Sequence, residues 1–185
     1  MMRRVLVPAY ALAAVLACDR LQSGDDMTLP TIEAVRRVYT SRGTNVDVRY
    51  NGNVLELRAR QAASQLERGG SLWARVGPYI YLFTPATRDV MATYPAISAV
   101  RAITRTSGGT EIARAMLVND SLGTIQWRRA LNLLGHALRD GSTNPVRLEE
   151  LVRFGETHTE FRYNRAFVPV QPAHSTPGSA GAASP

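Results

Sequence analysis

The segment VDVRYNGNVLELRAR, residues 46–60, constrains the fold more than any other stretch of the chain. Val46, Val48 and Tyr50 alternate with polar residues, and Leu55, Leu57 and Ala59 do the same after Asn51-Gly52. A strand sends successive side chains to opposite faces, so each run has one apolar and one polar face. Asn-Gly between two such runs is the strongest short-range signal for a β-hairpin. It predicts a type I′ turn at Asn51-Gly52, with positive φ at both central residues.

The flanking segments supply the rest of the layer. PTIEAVRRVYTSRG places Ile32, Val35, Val38 and Tyr39 on one helical face, with Pro30 suited to the start and Gly43 to the end. Thr84-Pro85 offers an N-cap and a first-turn proline for a short helix carrying Val90, Met91 and Tyr94, ending at Tyr94-Pro95. ISAVRAITR and TEIARAMLV read as two strands joined across Ser107-Gly108-Gly109. A helix follows with Trp127, Leu131, Leu134 and Leu138 on its stripe. The last helix has Asn144 as cap, Pro145 at its first position, Leu148, Leu151 and Val152 as its stripe and Gly155 past its end. Between Gln61 and Phe83 the pattern admits either a buried strand or a helical turn after Pro78. Together these segments predict an α+β fold, an antiparallel sheet of two hairpins with helices packed on one face.

The N-terminus has a different character. Arg3 and Arg4 precede Val5–Ala17, an uncharged run of 13 residues that ends at Cys18, the single cysteine of the chain. A membrane-spanning helix needs about 20 apolar residues, whereas a secretory h-region needs roughly 7–15. One cysteine excludes an intrachain disulfide and a zinc site built from several thiolates. The segment VLAC, residues 15–18, resembles the lipobox of bacterial lipoproteins; Val15 and Ala17 match it, and Leu16 is bulkier than the residue usual there. The resemblance implies a diacylglyceryl group on the Cys18 thiol, cleavage before Cys18 and acylation of the new N-terminus. Two acyl signals give stable anchoring where one does not. It also implies a place in the bacterial cell envelope, on the extracytoplasmic face of a membrane; in some lipoproteins an aspartate where Asp19 stands favours the inner membrane, and inner and outer placement both stay open. The alternatives for Cys18 are a buried residue in an uncleaved anchor helix, or plain secretion with cleavage nearby.

The expected organisation is a signal peptide over 1–17, a lipidated N-terminus and tether over 18–30, one domain over 31–167, and a tail over 168–185 rich in Pro, Ala, Ser and Gly. All 22 basic residues are arginine. Without Arg3 and Arg4, twenty arginines face fifteen acids, spread along the chain rather than gathered in a run. Nucleic-acid binding needs a concentrated basic stripe, so it is not expected. A mildly basic surface close to anionic lipid headgroups fits better.

No catalytic or cofactor-binding motif stands out. His136 falls opposite the stripe of its helix, beside Asn132 and Arg139, which makes it a solvent-facing residue. In GETHTEFRY, an extended chain would put Glu156, His158 and Glu160 on one face, a pattern that can bind a divalent metal. The same extended chain would turn Thr157, Thr159, Phe161 and Tyr163 toward the core, and outward charges are then the ordinary outcome. Ser107-Gly108-Gly109-Thr110 lacks the lysine and the spacing of a phosphate loop. No G-x-S-x-G elbow occurs. The aromatic run from Trp73 to Phe83, with Tyr79 and Tyr81, either fills the core or lines a ligand groove. The leading expectation is a non-enzymatic envelope lipoprotein that binds a protein partner or organises the membrane surface, with no cofactor or metal. The alternatives are an envelope hydrolase using His136 or His158 with Glu156 or Glu160, and a carrier of a small apolar ligand near Tyr79 and Tyr81.

Overall fold

The computed structural model describes residues 27–167. The signal segment, Cys18, most of the tether and the tail over 168–185 lie outside the described residues. Helix α1, Ile32–Ser41, starts at Thr31, whose side chain accepts a hydrogen bond from the Ala34 amide. The cap is thus the residue after Pro30. At the other end Gly43 takes φ +72°, and the Gly43 and Thr44 amides bond back to Thr40 and Tyr39. This is the Schellman closure that a left-handed glycine permits.

Strands β1 (Asp47–Asn51) and β2 (Val54–Arg60) form the expected hairpin. Asn51 pairs with Val54, so the loop is Gly52-Asn53 rather than Asn51-Gly52. Gly52 has φ +61° and Asn53 does not have positive φ. Positive φ at the first central residue alone is the sign pattern of a type II′ turn, the second of the two turns whose twist suits a hairpin. A Cβ on Gly52 would meet nothing within 4 Å, so any cost of substitution there is backbone strain alone. Gly52→Val is expected to lower stability by about 1 kcal/mol or more in thermal unfolding.

Helix α2, Ala63–Leu82, settles the open segment: it is helical throughout. Gly69, Gly70, Gly77 and Pro78 all lie within it, and each lowers helix propensity. Packing outweighs them, because Ala74, Val76, Tyr79 and Leu82 are fully buried. Helix α3, Pro85–Thr93, has Thr84 as its cap and ends before Pro95, as the sequence predicts. Strands β3 (Ala99–Arg105) and β4 (Glu111–Val118) form the second hairpin.

Helices α4, Thr124–Asp140, and α5, Pro145–His158, complete the layer, and β5, Glu160–Tyr163, adds an edge strand to β4. The buried stripe of α4 is Ala130, Leu134 and Ala137, with Leu138 62 % exposed. Ala130, Leu134 and Ala137 set the buried direction of α4, and Leu138 falls outside it. Helix α5 runs past Gly155, which is buried against Tyr79 instead of closing the helix.

The fold is α+β, and the five strands lie in sequence order β1-β2-β3-β4-β5. The two hairpins join through a parallel β2–β3 pairing, so the sheet is mixed rather than purely antiparallel. Parallel neighbours need a long crossover, and α2 and α3 provide it. Val48, Leu57, Ala102 and Ala115 stand in one row across four strands and belong to the main core under the helices.

Candidate functional site

The same alternation that turns Val48 and Leu57 inward turns their neighbours outward. In register across the sheet, one outer row reads Asp47, Arg58, Ile103, Arg114 and Arg162. The next reads Arg49, Glu56, Arg101, Met116 and Glu160. Arg60, Arg105 and Glu111 extend the pattern at one end. This face carries seven arginines against four carboxylates. Arginine also occurs on the helical side, so arrangement rather than total charge distinguishes the sheet. Its strands hold the guanidinium groups on one broad surface.

Ile103 belongs to this outer face and yet is only 4 % exposed. It stands in register between Arg58 and Arg114, whose aliphatic stems can shield it while their charged ends reach water. Glu56 is the buried acid of the face and is flanked by two arginines. Arg58 donates to one of its oxygens at 2.7 Å and Arg101 to the other at 3.1 Å. Burial works against its ionisation, but the hydrogen bonds and charge of Arg58, with Arg101, outweigh it and hold Glu56 below the usual carboxylate range. Glu56 therefore orients two guanidinium groups as a fixed anion.

At the β1 edge Arg49 pairs with Asp47 at 3.0 Å, whereas over β4 and β5 the charges are less well matched. Arg114 reaches Glu111 only at 3.5 Å. Arg101 donates to the Met116 sulfur at 3.3 Å. Arg101, Arg114, Met116, Glu160 and Arg162 line an open pocket of about 220 Å³ over β3, β4 and β5. The arrangement offers guanidinium donors to an anion and has no nucleophile beside a base.

The residues singled out from the sequence do not converge on one site. His136 is on the surface of α4, 44 % exposed, with Arg139 at 2.8 Å and Asp140 at 4.0 Å. Glu156 and His158 occupy the last turn of α5, not a strand, so the row Glu156–His158–Glu160 does not form. Arg75 binds Glu156 through both carboxylate oxygens, at 2.7 and 2.8 Å. His158 contacts the Phe154 carbonyl at 2.8 Å and stacks on the Phe154 ring at 4.1 Å. Glu160 lies on the open sheet face. Among the described residues no group of three or more His, Cys, Asp or Glu side chains could hold a metal. Ser107-Gly108-Gly109 is the β3–β4 turn. Phe161 and Tyr163 do turn toward the core, half-buried, with the Phe161 ring 5.5 Å from that of Tyr79.

Tyr79 itself is fully buried and stacks on Phe83, so it lines no groove. Tyr81 does line one, of about 280 Å³, with Trp73, Ile80 and Leu148 between α2 and the α4–α5 connection. The arginines of the sheet were visible singly in the alternating runs. What assembles them is the β2–β3 pairing, which local patterns do not encode. In comparisons with known proteins, no family model matches the chain, and no curated protein or solved structure matches it.

Proposed function

We propose that the chain is a non-enzymatic lipoprotein of the bacterial cell envelope, anchored through Cys18, whose open sheet face docks on an anionic membrane surface. The observation that carries this reading is the asymmetry of the sheet. One face is covered by helices, and the other, which no helix among the described residues packs against, is rich in arginine. Basic residues near an anionic leaflet contribute about 1 kcal/mol each. Eight residues separate Cys18 from the start of the described domain, a reach of at most about 30 Å. Such a tether keeps the domain at high effective concentration over the headgroups, so a weak docking contact suffices. Among the described residues no helix is long and apolar enough to cross a membrane.

The full chain and Cys18→Ser test both halves of this reading by fractionation and by co-sedimentation with phosphatidylglycerol vesicles. The unsubstituted protein should stay with membranes in molar salt. Cys18→Ser should be released by that salt and still bind the vesicles at low ionic strength. Retention of Cys18→Ser in salt-washed membranes contradicts the lipid anchor, and failure to bind anionic vesicles contradicts the docking.

A further inference from the structure

We infer that Arg114 and Arg162, with Arg101 beside them, form a binding site for a phosphate ester on the open face of the sheet; the inference rests on the reading of that face as a binding surface. Arg114 and Arg162 are direct cross-strand partners in the antiparallel β4–β5 pair. Side chains directly opposite each other have Cβ atoms about 5 Å apart, and like charges placed there repel. A local rule broken in this way, and only partly compensated by Glu111, points to a functional position. Among the described residues Arg162 has no carboxylate within ion-pairing distance, and Arg114 has only Glu111 at 3.5 Å. Arg101 is already held by Glu56 and lines the same pocket. An anion between the unpaired Arg162 guanidinium and the loosely paired Arg114 guanidinium would remove the repulsion.

The donor set favours phosphate over a carboxylate. Two planar forks, each able to donate two parallel hydrogen bonds, match the several oxygens of a phosphoryl group, whereas a carboxylate saturates one fork. Glu160 lines the pocket as well. It would accept from a hydroxyl or ammonium group next to the phosphate, as a phosphate ester can supply. Two sources carry this chemistry, a phospholipid headgroup and a soluble phosphate ester.

The test is calorimetric titration of the Cys18→Ser chain with inorganic phosphate and with glycerol 3-phosphate, at constant ionic strength, against Arg162→Gln and Arg37→Gln. The expected result is one saturable phosphate per chain, weakened at least about tenfold by Arg162→Gln, since hydrogen bonds to charged groups are the strong ones, and unchanged by the exposed helical Arg37→Gln. Circular dichroism of Arg162→Gln should match the parent. Competition by glycerol 3-phosphate against phosphatidylglycerol vesicles assigns the site to a headgroup; saturable binding without competition assigns it to a soluble ester. No saturable phosphate, or equal affinity in Arg162→Gln, overturns the site, even where vesicle binding persists and the docking reading stands. Phosphate binding that depends on Arg162 in a chain that ignores vesicles upholds the site and overturns the docking.

Discussion

Gly155→Ala is expected to destabilise the domain by about 2 kcal/mol or more, because overfilling a packed core costs 1–3 kcal/mol and occasionally more. A Cβ at this position would sit 2.3 Å from a ring carbon of Tyr79, with two more ring atoms at 2.5 Å. Something must move, and little around Tyr79 is free to do so. Its ring is fully buried, parallel to Phe83 at 5.6 Å and 5.5 Å from Phe161. Phe83 in turn meets Phe154 edge to face at 5.4 Å. Moving Tyr79 therefore disturbs α2, α5 and β5 together. Gly135 in α4 is the control, since a Cβ there meets nothing within 4 Å. Gly135→Ala should raise stability by roughly 0.5–1 kcal/mol through helix propensity alone. Thermal unfolding of the two variants should move in opposite directions. Equal shifts would mean that α2 and α5 are not packed as described.

Gly155 also shows where sequence reading stops. A glycine after an amphipathic helical run is the ordinary sign of a helix end, and Gly43 behaves that way with its positive φ. Gly155 has the same local setting, but it is there to admit Tyr79, some 76 residues earlier in the chain. Extending α5 through it also removed the strand on which Glu156 and His158 were to share a face. Helix α2 shows the converse. Four residues that disfavour helices hid it, and burial of Val76, Tyr79 and Leu82 recovers it.

Features set by neighbours in the chain were legible. The Thr84-Pro85 and Asn144-Pro145 starts and the two hairpins depend on local turn and cap chemistry. The parallel β2–β3 pairing joins residues about 45 apart, such as Glu56 and Arg101, and no local pattern specifies it. That pairing turns separate arginines into a surface, so the site was less legible than the elements that carry it. Leu138 is a smaller case: its spacing fits the stripe, but alanines at 130 and 137 set the buried direction of α4.

The docking account predicts that the position of the charges, not their sum, governs membrane binding. Arg114→Glu/Arg162→Glu and Arg36→Glu/Arg37→Glu change the net charge equally, the first pair on the open sheet face and the second on the exposed surface of α1. At about 1 kcal/mol per charge near an anionic surface, a four-charge change at the contact amounts to roughly a 10²–10³-fold loss of affinity. Helix α1 packs on the core side of the sheet through Val35 and Tyr39, so its exposed pair faces away from a membrane met by the open face and salt screening should keep its effect small.

The most direct measurement is binding of the Cys18→Ser chain and these two double variants to phosphatidylglycerol vesicles at physiological ionic strength, with circular dichroism to show that all three are folded. The account predicts that the sheet-face variant loses binding by at least about a hundredfold while the α1 variant stays within a few-fold of the parent. Equal losses in both variants, or a sheet-face variant that binds like the parent, would contradict it.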